Sequence, residues 1–61
     1  MQTDSGFDVL HNGILRTFRD QKATAYEAAR FAKARFRGEF IEIVDRSTGA
    51  KMIMLEDGRT T

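Results

Sequence analysis

Sixty-one residues, with ten Lys and Arg against nine Asp and Glu, carry a formal charge of +1, a near-neutral balance that argues weakly against a dedicated nucleic-acid binder. A chain this short makes one domain near the lower limit of independent stability, and with no cysteine it has neither disulfide nor thiolate–metal site to reinforce its core. No apolar run approaches the roughly 18–20 residues of a membrane span and no charged-then-apolar leader opens the chain, so a soluble, cytoplasmic protein is expected, a single domain over 1–61 with 1–6 and 57–61 as frayed tails.

The first elements are fixed by Asn12-Gly13, which separates the apolar runs Phe7–His11 and Ile14–Phe18. Asn-Gly tolerates positive φ at both central positions of a two-residue type I′ turn, which predicts a β-hairpin. In such a hairpin His11 opposes Ile14, Val9 opposes Arg16 and Phe7 opposes Phe18, and these six share one face. Asp8, Leu10, Leu15 and Thr17 share the other. The first face carries more apolar bulk and is assigned to the core, with His11 and Arg16 at its edge reaching water.

A helix follows. Thr24 and Glu27 have capping-box spacing, while Asp20 offers a second possible start. The body Ala25–Phe36 contains neither glycine nor proline, and Gly38 suits a left-handed position past its end. At 100° per residue, Ala25, Ala28, Ala29, Ala32 and Phe36 form one stripe, with Tyr26 and Phe31 on opposite flanks. A mostly alanine stripe lets a helix approach a sheet closely.

Phe40–Val44 and Met52–Leu55 read as a second hairpin around Arg46-Ser47-Thr48-Gly49-Ala50. A type I turn with Gly49 in a bulge pairs Asp45 with Lys51, Val44 with Met52 and Ile43 with Ile53. A four-residue loop would pair Asp45 with Ala50. The bulged form segregates the β-branched residues and puts Ile41, Ile43, Ile53 and Leu55 under the helix. The expected fold is therefore α+β: ββαββ, with one helix on one face of a four-stranded, mainly antiparallel sheet of order 2-1-3-4.

This register leaves Leu10, Leu15, Phe40, Val44, Met52 and Met54 on the opposite sheet face. A contiguous apolar surface on a small domain marks an interface, and methionines repack readily around partners. The expected partner is a second copy of the chain or another protein.

Charge offers an alternative. Residues 16–37 hold seven bases against two acids, and the rest holds three bases against seven. On the helix Arg30, Lys33 and Arg37 lie close together beside Tyr26, a stripe able to follow a phosphate backbone in a nucleic-acid-binding accessory protein. Helix exteriors are commonly basic without binding anything, and cations complement a helix C-terminus.

No catalytic, metal or cofactor site is expected. His11 is the single histidine, and no phosphate-loop, dinucleotide, zinc-protease or nucleophile-elbow pattern occurs. Ser47-Thr48-Gly49-Ala50-Lys51 lacks the glycine spacing and following helix of a phosphate loop. A non-enzymatic protein with no small-molecule ligand follows.

The Asn12-Gly13 hairpin, the helical stretch Tyr26-Glu27-Ala28-Ala29-Arg30-Phe31-Ala32-Lys33 and the segment Ile41–Asp45 running to Thr48-Gly49 together span most of the chain. In these features the chain resembles short uncharacterised bacterial ββαββ proteins of the kind chosen by structural-genomics efforts. The resemblance implies no activity and transfers no site residue.

Overall fold

A computed structural model describes residues 5–61. Five elements run in the order β1 (Phe7–His11), β2 (Ile14–Arg19), α1 (Lys22–Arg35), β3 (Ile41–Asp45) and β4 (Lys51–Ile53). The four strands form one antiparallel sheet of order β2-β1-β3-β4, and α1 lies across one face of it.

The first hairpin turns as its sequence dictates, with φ of 54° at Asn12 and 84° at Gly13, and pairs His11 with Ile14 and Leu10 with Leu15. The expected register fails beyond that point. Arg16 has no opposite number: Val9 pairs with Thr17, Asp8 with Phe18 and Phe7 with Arg19. One extra residue in β2 is a β-bulge, and it transfers every later side chain of the strand to the other face. Phe18, expected in the core, thus joins Asp8 on the open face, and Thr17 takes its place on the helix side. Ile14, also expected in the core, sits at the hairpin tip and is 72% exposed.

The helix begins a turn earlier than Thr24. Gln21 is its N-cap and makes no side-chain cap bond; Thr24 lies inside the first turn, where its hydroxyl donates to the Gln21 carbonyl at 3.0 Å. The helix ends at Arg35, its cap residue Phe36 donating its N–H to the Ala32 carbonyl. Gly38 does not take the left-handed conformation expected of it. The alanine stripe is as read: Ala25, Ala29 and Ala32 are buried and Ala28 packs beside them.

The second hairpin uses the four-residue loop, not the bulged one. Asp45 N–H donates to the Ala50 carbonyl at 2.9 Å and Gly49 N–H to the Asp45 carbonyl at 2.7 Å. The Asp45 carboxylate accepts the Ser47 N–H, and Thr48 Oγ1 accepts the Ala50 N–H. Ile43 therefore opposes Met52, Glu42 opposes Ile53 and Val44 opposes Lys51. This single step reverses the faces of β4. Met52 and Met54 go under the helix, Met54 to 1% exposure, while Ile53 turns to the open face. Leu55 lies past the strand and outside the buried cluster. The expected pairing of Asp45 with Lys51 is lost in this register, and the two residues sit on opposite faces.

The core is Val9, Ala25, Ala29, Ala32, Ile41, Ile43 and Met54, with Phe7, Tyr26, Ala28 and Met52 packed on it. Each of the four large side chains buried there contributes roughly 1.5–3 kcal/mol. Methionine suits this position because its unbranched chain fits the irregular space beside a helix of small residues; Met52 also accepts the Tyr26 hydroxyl at its sulfur, 2.5 Å away.

Residues 57–61, expected as a loose tail, turn back along β4. Ile53 and Thr61 exchange two backbone hydrogen bonds of 3.0 Å, and Leu55 N–H donates to the Arg59 carbonyl. At the other end, residues 1–4 of the expected tail lie outside the described residues, while Gly6 is buried and its carbonyl accepts the Arg46 N–H at 2.9 Å.

Candidate protein interface on the open sheet face

Among the described residues, the face away from α1 has no second layer. By register it presents Leu15 and Phe18 on β2, Asp8 and Leu10 on β1, Glu42 and Val44 on β3, and Lys51 and Ile53 on β4. Phe40, two residues before Glu42, continues the β3 row. Leu15 is 54% exposed and Phe40 45%. Of the six residues expected here, Leu10, Leu15, Phe40 and Val44 share this face. Met52 and Met54 belong to the core, and Phe18 and Ile53 replace them. The surface survives the correction with its composition changed, because the two register slips exchange apolar residues in both directions.

Two charges on this face are already matched. Arg46 lies 2.8 Å from Asp8 Oδ1 through Nη2 and donates from Nε to both carboxylate oxygens. Its guanidinium carbon stands 4.5 Å from the Phe18 ring centroid. A two-pronged Arg–carboxylate contact over an aromatic ring holds Phe18 in place. Glu42 and Lys51, on adjacent strands, form no ion pair with each other.

One end of the molecule is closed by a polar clamp. Asn12 donates its backbone N–H to the Phe40 carbonyl at 2.7 Å, accepts the Phe40 N–H on Oδ1 and donates from Nδ2 to Glu39. His11 Nε2 lies 2.6 Å from the same Glu39 oxygen, and its ring stacks on Phe36 at 4.7 Å. The hydrogen bond from His11, then that from Asn12, hold the Glu39 carboxyl below its ordinary value. The histidine is thus half-buried beside the turn, held between Glu39 and the Phe36 ring. Among the described residues no three His, Asp or Glu stand close enough to hold a metal ion, and no helix is long and apolar enough to cross a membrane.

The basic stripe read from the helix is partly committed elsewhere. Tyr26 is half-buried with its hydroxyl on Met52, and Lys33 donates to the Glu39 carbonyl at 2.5 Å. The Arg30 side chain passes close to Gly58, and Arg37 is exposed. Compared with protein-family models, curated proteins and solved structures, the chain matches none.

Proposed function

We propose that the protein is a non-catalytic interaction module whose open sheet face packs against the same face of a second copy. The observation that carries this reading is the unlayered apolar row of Leu10, Leu15, Phe18, Phe40, Val44 and Ile53. A packed domain covers each apolar face, and among the described residues nothing covers this one.

Charge favours a like partner. Asp8 and Arg46 neutralise each other, which leaves one acid, Glu42, and one base, Lys51, on the face. A two-fold axis parallel to the two sheets and lying between them lets Lys51 of one copy approach Glu42 of the other, the self-complementarity that an isologous interface requires. Two twisted sheets pack face to face at about 10 Å, so the rows interdigitate without a change of backbone.

Leu15→Glu and Val44→Glu test the proposal. Each puts a carboxylate inside the contact and is expected to yield a folded monomer by light scattering and circular dichroism. An unchanged mass for both variants, or a parent chain that is itself monomeric throughout, contradicts it.

A further inference from the structure

On the helix side of the sheet, β2 and α1 stand apart along a half-open groove of about 520 Å³, a size typical of small-ligand sites. Its walls set three arginines, Arg16, Arg19 and Arg35, against one acid, Glu27. Ala28 and Ala32, each a single methyl group, leave the space between the walls open.

Two of the cations share one aromatic neighbour at the Phe36 end of the groove. The guanidinium carbons of Arg16 and Arg35 lie 5.3 and 5.8 Å from the centroid of the same ring, Phe36, and among the described residues neither makes an ion pair. Like charges held together repel, and a bound phosphate or carboxylate relieves that repulsion through the forked donors of arginine. Arg16 keeps the helix-side place expected of it, and the β2 bulge brings Arg19 to the same side.

Along the helix wall Glu27, Phe31 and Arg35 follow one another at four-residue spacing, one line spanning about 12 Å. Phe31 is 70% exposed at mid-helix, an aromatic ring open to a flat partner. Glu27 disfavours a plain acyl chain, because its carboxylate calls for hydrogen-bond donors on the body of the ligand. An anionic head, a planar body and an amino donor at the far end are together the chemistry of a nucleotide.

We propose that this groove binds a nucleoside phosphate, with the phosphate between Arg16 and Arg35, the base stacked on Phe31 and its exocyclic amino group donated to Glu27. The nucleotide comes either free or as a unit of a single strand. The site is on the opposite side of the sheet from the open apolar face and stands or falls independently of dimerisation.

The test is calorimetric or NMR titration of the full chain with AMP, GMP, CMP, UMP and inorganic phosphate, and with short cytidine and uridine oligomers. The amino-bearing nucleotides are expected to bind at least about tenfold more tightly than inorganic phosphate and more tightly than UMP. Arg35→Gln and Phe31→Ala, both at exposed positions, each weaken binding by about tenfold or more. Glu27→Gln removes the preference over UMP while binding persists. A cytidine oligomer that binds more tightly per site than CMP identifies a strand as the source, and equal affinity identifies the free nucleotide. Absence of saturable nucleotide binding overturns the proposal. So does affinity no better than that of inorganic phosphate, or affinity indifferent to Arg35→Gln and Phe31→Ala in variants with parental circular dichroism.

Discussion

Gly6 shows how much one atom decides. Its φ is +115°, in the region that side-chain-bearing residues rarely enter, and a Cβ there would run into the Phe18 ring. That ring is pinned under Arg46 and yields poorly. Gly6→Ala is therefore expected to lower unfolding free energy by about 1–3 kcal/mol in urea titration; an unchanged midpoint would mean that the Phe18–Arg46 stack is loose. Glu39 gives a pH dependence with a definite sign. The bonds from His11 and Asn12 favour its ionised form, so it binds a proton less readily folded than unfolded. The stabilisation is complete above the ordinary carboxyl value of 4.5 and is lost as pH falls through the depressed one. In Glu39→Gln the deficit in Tm should be greatest near neutral pH and shrink on acidification; a constant deficit contradicts the clamp.

At the scale of elements, each strand was visible in the sequence, but two of the registers were not. Asn-Gly specifies its turn through φ alone, so the hairpin and its first two pairs could be read directly. The bulge at Arg16 could not, because an arginine with an unpaired backbone looks like any other in an alternating strand. The second loop had two closures compatible with a left-handed Gly49, and the choice between them rested on segregating β-branched residues. The molecule follows another rule: a helix face of alanines leaves a shallow, uneven space, and flexible methionine fills it better than a stiff isoleucine. Met54→Ala is accordingly expected to cost about 2–5 kcal/mol, by loss of buried contact and the cavity left behind, enough to unfold so small a domain. Leu15→Ala changes the unfolding free energy of the monomer by about 0.5 kcal/mol or less. The opposite ranking in denaturation experiments would restore the register first expected. The groove was legible in the spacing of Glu27, Phe31 and Arg35 and in the expected helix-side place of Arg16; Arg19 reaches it only through the bulge, which an alternating strand does not announce.

For the whole molecule, the central fact is one helix on one sheet, with the other sheet face uncovered among the described residues. Four large buried side chains and three alanines make a thin core, and a domain so short gains proportionately much from covering its remaining apolar surface. The acid–base pair Asp8–Arg46 removes the net charge that would otherwise keep two such faces apart. Fold and proposed function thus have the same origin, a register that divides apolar residues between two faces of a sheet with only one helix to cover them. Sedimentation equilibrium of the parent chain across the micromolar range tests this most directly. The account predicts a mass that rises with concentration from 6.9 kDa towards twice that value, with Leu15→Glu held at the monomer mass; a parent chain that stays at 6.9 kDa throughout contradicts it.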